Sequence, residues 1–228
     1  LFFSTHTLYY IIHFRLNFPH GDDFYIIPFS YEFARTGNFP INEFLSPASS
    51  HLGFSLKLIT LPNLLLNSFD LVNLYYFQWI LMSITLFVLF LLIRRTDKRL
   101  YWTLIPISAT VYCPIFITGY FVFSTIMWLS ISLGVVSVVY FLTNSVVKSS
   151  QFFAAVSMAT FSTFFNLMGT VTWLIGIIRF FKKENNSYLQ KKWIVFWLGS
   201  MIINGVIIFI FAPSFSDRKS TRLNSSHQ

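Results

Sequence analysis

Two adjacent carboxylates stand out in a chain with few charges. The stretch His20-Gly-Asp-Asp-Phe-Tyr25 places Asp22 and Asp23 together where only 11% of the 228 residues are charged. A carboxylate within hydrogen-bond reach of an acceptor hydroxyl can act as a general base. The same acid can instead cap a helix, because Asp accepts backbone N–H bonds at a helix start and its charge suits that end. Pro28 fits the first turn of such a helix, and Gly37 fits its stop. The two readings are compatible, and both stand.

Cations and further ligand types lie nearby in sequence. Arg15, Arg35 and Lys57 share the segment with the acid pair. Arg and Lys both bind phosphate, Arg with a planar fork. Each also reads as an interfacial anchor whose apolar stem lies along the membrane while its head reaches water. His20 and His51 join Asp22 and Asp23 as metal-ligand types, but without a fixed spacing. A divalent metal is thus an open option rather than an expectation, and no other cofactor is expected.

The elements that must position these groups are apolar. The chain is 55% hydrophobic and holds 29 Phe, 11 Tyr and 6 Trp. A soluble domain carries roughly 25% charged residues, more than twice the share here. Lipid is therefore the expected solvent. Apolar runs fall at about 1–12, 71–93, 100–118, 121–142, 152–178 and 193–212. The run Leu71–Ile93 is free of charge, and about 20 such residues cross ~30 Å of hydrocarbon. The expected fold class is all-α: a polytopic transmembrane helical bundle with a long extracytoplasmic first loop, 13–70. Two stretches of that loop read as interfacial helices: Phe29–Arg35, and Leu52–Leu66 interrupted by Pro62. The lone Cys113 excludes an intrachain disulfide.

Basic residues set the expected orientation. They cluster at Arg94–Arg99, at Lys148 and at Arg179–Lys192, which the positive-inside rule places in the cytoplasm. For both flanks of 152–178 to be cytoplasmic, that run must enter and return as a short hairpin, with Asn166 and Gly169 at its turn. A single tilted span is the alternative, and it would leave five basic residues outside. The loop 13–70, richer in acids, then lies on the outer face. The net charge of +8 is explained by topology, so nucleic acid is not an expected partner. Leu1–Ile12 reads as the tail of a truncated first span. Residues 217–228 read as an adapter-derived artefact and are set aside, leaving 1–216 as a partial transmembrane domain.

A family resemblance rests on the loop. Asp22-Asp-Phe-Tyr25, followed by Ser30-Tyr-Glu-Phe-Ala-Arg-Thr-Gly37-Asn-Phe-Pro40, resembles the first outer loop of GT-C membrane glycosyltransferases. These include the protein O-mannosyltransferases and the aminoarabinose transferases of lipid A. Ser50–Lys57, Asn63–Leu66 and Phe165–Gly169 before Trp173 are similar to segments of uncharacterised bacterial relatives. The chain departs from the family pattern in having Asp23 where Glu is common, and in Pro28 within the expected surface helix.

The resemblance implies inverting transfer of a sugar from a polyprenyl-phosphate donor to a lipid, glycan or protein hydroxyl. The enzyme would sit in the bacterial cytoplasmic (inner) membrane, with multiple passes. Asp22 matches the base, and Asp23 would orient the site or help bind the acceptor. Lys57 is the favoured phosphate ligand, with Arg35, His51 and His20 as further candidates. This fragment alone is expected to be inactive. A polymerase or ligase of surface polysaccharide would share the lipid donor. A transporter or flippase is the competing class; it would place charge inside its spans, and the clear runs here carry none.

Overall fold

The computed structural model describes residues 1–14, 32–33, 35–39, 41, 57, 59, 72–113, 122–143, 147–181 and 188–211. Every regular element among them is helical. They are α1 (Phe2–Phe14), α2 (Val72–Thr96), a 3-10 turn at Lys98–Thr103, α3 (Leu104–Val111), α4 (Val122–Leu142), α5 (Ser149–Phe165), a 3-10 turn at Leu167–Thr170, α6 (Val171–Phe181) and α7 (Tyr188–Phe211).

Val72–Thr96, Thr125–Leu142 and Lys191–Ile210 are long and apolar enough to cross a membrane. The 25 residues of α2 hold no Pro or Gly, so nothing interrupts its hydrogen bonds over about 37 Å. Asp97 then stops it: its Oδ1 accepts the Arg99 N–H at 2.8 Å and starts the tighter turn.

Of the apolar run expected over 100–118, the described residues are 100–113. Its described part is the 3-10 turn, the eight-residue α3, and an end at Tyr112 and Cys113. Two prolines account for this. In a continuous α-helix the Pro106 ring would meet the Trp102 carbonyl, so the chain before it adopts the 3-10 form. Pro114 disfavours helical backbone at Cys113.

Side-chain contacts fix the helix directions. Arg95, at the end of α2, donates to the Tyr140 carbonyl at 3.3 Å and lies 5.1 Å from the Tyr140 ring centre. Tyr140 is near the end of α4, so α2 and α4 run parallel. α5 packs antiparallel to α4, with Phe152 in the cluster of Val138 and Leu142 and Ser162 beside Gly134. At Asn166 the backbone is extended (φ −155°, ψ 136°) and the helix breaks. The Asn166 Oδ1 accepts the Met168 N–H at 2.9 Å, which starts the turn.

Beyond the turn, α6 runs back along α5. Trp173 donates to Thr163 Oγ1 at 3.0 Å near the turn, and Phe180 faces Phe152 at the far end, 6.4 Å between ring centres. The run 152–178 thus folds back on itself as two antiparallel helices. α7 begins beside the start of α5, where Trp193 stacks on Phe152 at 4.4 Å.

Two buried clusters hold these elements. One joins α1, α2, α3, α4 and the end of α5 through Ile11, Leu74, Met82, Tyr112, Ile126 and Phe165. The other joins α4 to α7 through Val138, Phe152, Trp173, Phe180 and Trp197. Between them, α4 meets α5 and the turn at Ser162. A Cβ on Gly134 would sit 2.6 Å from Ser162 Cβ, and one on Gly169 would sit 2.2 Å from the Ser162 carbonyl oxygen. Only glycine allows both backbones this close.

Candidate functional site

Four of the six sequence-derived site residues, Asp22, Asp23, His20 and His51, lie outside the described residues, as does Arg15. Arg35 is exposed and pairs with Glu32 one helical turn earlier, at 3.2 and 3.3 Å to the two carboxylate oxygens. An exposed pair of this kind contributes about 0–1 kcal/mol. Gly37 ends that short helical piece in the left-handed region, φ 66°, with its N–H on the Phe33 carbonyl at 2.9 Å. Lys57 is 2% exposed, and Ile59 beside it packs on the first apolar cluster. Burial of a lysine at this level requires polar company. Among the described residues, no group of three or more His, Cys, Asp or Glu could hold a metal ion.

The helix directions collect charge at one end. The end of α2 brings Arg94 and Arg95, followed by Lys98 and Arg99. The end of α6 brings Arg179, which donates to Thr143 Oγ1 at 2.9 Å. The starts of α5 and α7 bring Lys148, Lys191 and Lys192. Lys192 lies 5.9 Å from the Trp193 ring centre and 5.7 Å from that of Phe196. The two other described cations, Arg35 and Lys57, belong to the segment before α2. Between the ends, the apolar spans carry no charged side chain.

Neutral polar groups gather well inside instead. The Tyr112 hydroxyl meets Ser83 Oγ at 2.7 Å, and Thr7 donates to the Tyr112 carbonyl at 2.6 Å. Ser83 is twelve positions from Arg95, about 18 Å along α2. At the other cluster, Ser162, Thr163, Asn166 and Thr172 are buried around the α5–α6 turn. Thr163 donates to the Ala159 carbonyl while accepting from Trp173, and Thr172 donates to the Gly169 carbonyl.

Asn204 of α7 faces this region at 7% exposure. It is twelve positions from Lys192, again about 18 Å of helix. A cavity of about 420 Å³ separates α6 from α7, walled by Thr163, Trp173, Leu174, Met201, Asn204 and Gly205 among others. Sequence reasoning singled out Asn166 and Gly169 but missed Ser162, Thr163 and Asn204. The available signal was polar residues interrupting apolar helical faces.

Comparison of the chain with protein families, curated proteins and solved structures gave no match.

Proposed function

We propose that this chain is the membrane-embedded part of a polytopic bacterial inner-membrane glycosyltransferase. It would move a sugar from a polyprenyl-phosphate donor to a hydroxyl acceptor at the outer face, with 13–70 as the outer loop. The carrying observation is the separation of charge. Among the described residues eight cations collect at one end of the helices, the spans carry none between their ends, and the acid pair belongs to the segment that precedes α2. A bundle so charged orients with its basic end in the cytoplasm. Charge chemistry then belongs at the opposite surface rather than along a path through the spans.

Asp22 is the proposed base, and Asp23 the group that orients it. Inversion requires the base opposite the leaving phosphate, because attack comes from behind. Lys57, Arg35, His20 and His51 are the proposed contacts to phosphate and acceptor.

The test is sugar transfer from a radiolabelled polyprenyl-phosphate sugar, in membranes containing the whole gene product. Asp22→Asn should abolish transfer while insertion is unchanged; full transfer by that variant refutes the assignment. Orientation is tested separately with single cysteines at positions 22 and 98 in a Cys113→Ser background. An impermeant maleimide should reach them from opposite faces, and labelling from one face refutes the topology.

A second reading, transport of a small or lipid-linked substrate, draws on the broken helix at Asn166. Transporters bind at such breaks near the membrane middle. Substrate movement in proteoliposomes without any transfer product would favour it.

A further inference from the structure

The basic end of the helices has too few acids to balance it. By sequence, the stretches 94–99, 148 and 179–192 hold ten Lys and Arg against two acids, Asp97 and Glu184. Asp97 already accepts the Arg99 backbone N–H. Among the described residues the ion pair is Arg35–Glu32, which belongs to the segment before α2. Charge of one sign gathered in this way calls for an anionic partner from outside the chain.

Two of these cations are held at one corner. Arg95 of α2 donates to the Tyr140 carbonyl, and Arg179 of α6 donates to Thr143 Oγ1. Tyr140 and Thr143 share the closing turn of α4, where the Thr143 N–H reaches the Tyr140 carbonyl at 3.4 Å. A helix C-terminus carries partial negative charge and so draws both side chains. Each guanidinium has five N–H donors, and among the described residues each uses one of them. Apolar surface continues from the corner. Ile178 and Phe181, to either side of Arg179, are 61% and 75% exposed, and Trp102, after Lys98 and Arg99, is 79% exposed. Exposed rings beside cations suit the headgroup level of a bilayer. A soluble polyanion would leave this apolar rim in water, whereas a lipid supplies charge and chain together.

We infer that Arg95 and Arg179 hold the phosphate of an anionic phospholipid, its acyl chains lying along Ile178 and Phe181. The guanidinium fork matches two phosphate oxygens, and basic clusters between spanning helices suit such headgroups. A zwitterionic headgroup would bring its own ammonium group among the cations of this end. The site therefore favours a lipid whose phosphate is its only charge. The inference depends neither on sugar transfer nor on which face of the membrane the basic end occupies.

The experiment uses the full chain in a non-ionic detergent, with phosphatidylglycerol or phosphatidylcholine of the same acyl chains added. Native mass spectrometry counts the bound lipid. Phosphatidylglycerol should bind about tenfold more tightly, the scale of one hydrogen bond to a charged group. Arg95→Gln with Arg179→Gln should remove that preference. Lys191→Gln with Lys192→Gln takes the same charge from α7, which packs on α5 and α6. That pair should leave the preference within about twofold, because 0.15 M salt screens charges over about 8 Å. Tryptophan emission should show both double variants folded as the parent is. On the unaltered chain, phosphatidylglycerol with a diazirine near the top of its acyl chain should label Ile178 and Phe181. Equal binding of the two lipids overturns the proposal, as does labelling confined to other residues. Equal loss from the two double variants also overturns it, leaving a diffuse field and no site. Displacement of phosphatidylglycerol by inorganic phosphate overturns it too, and would assign the corner to a free anion.

Discussion

Gly176→Ala sets two forces against each other at one atom. Alanine is the better helix former by about 1 kcal/mol, so propensity alone predicts a more stable protein. Contact geometry predicts the reverse. A Cβ at position 176 would stand 2.1 Å from Cζ2 and 2.4 Å from Cε2 of Trp197, against an ordinary contact of 3.4–4 Å. The indole has little room to retreat. It is fully buried, packed between the rings of Phe152, Trp173 and Phe180, and tied by its N–H to the Trp173 carbonyl.

Overpacking of this kind costs about 1–3 kcal/mol, and weakening the indole hydrogen bond adds about 0.5–1.5 kcal/mol. Less the gain in propensity, the net loss is roughly 1–3 kcal/mol. The measurement is unfolding in mixed micelles followed by tryptophan emission, for Gly176→Ala, Trp197→Leu and the double variant. Trp197→Leu leaves a gap that the new methyl group can enter, so the double variant should be more stable than the summed single effects by at least about 0.5 kcal/mol. A stabilised Gly176→Ala, or strictly additive effects, would refute the argument.

Three further outcomes follow from the same geometry. Asn166→Ala removes the side chain that starts the α5–α6 turn and should lower stability by about 1 kcal/mol, the usual worth of such a cap; an unchanged unfolding midpoint would show that the turn stands without it. Thr7→Val removes the donor to the Tyr112 carbonyl and should cost about 1–3 kcal/mol, whereas Tyr112→Phe leaves Ser83 bonded to the Trp79 carbonyl and should cost about 1 kcal/mol or less; a reversed order in the same unfolding assay contradicts the pairing. Replacing Lys98, Arg99, Lys191 and Lys192 by Gln weakens the charge bias that orients the helices, so cysteine labelling should report a mixed population; a single unchanged orientation would assign the bias elsewhere.

The parts of the fold that were legible in sequence are those governed by local rules. The apolar run from Leu71 continues as α2 because no residue in it disturbs the backbone. Asn166 was conspicuous as an amide amid phenylalanines, and it occupies the break between α5 and α6. The change of backbone form within 100–113 went unsignalled, because hydropathy measures affinity for lipid and is silent on backbone continuity. Pro106 and Pro114 carried that information. Asn204 interrupts an apolar run, but a single Asn has no periodic signal to say which way it faces, and only packing against α5 and α6 shows its oxygen buried and unpaired. The acid pair Asp22–Asp23 was the clearest chemical signal in the sequence, and it falls outside the described residues.

The parallel course of α2 and α4 constrains the connection between them. Two neighbouring helices can run the same way only if the chain between them regains the full height, about 31 Å for a helix of 21 residues. That return falls to residues 97–121, whose α-helical part among the described residues is only eight residues long. The described residues already recover much of it: the Tyr112 hydroxyl meets Ser83, about 18 Å back along α2 from Arg95. The 3-10 form suits that climb, because its rise of about 2 Å per residue gains height faster than the 1.5 Å of an α-helix.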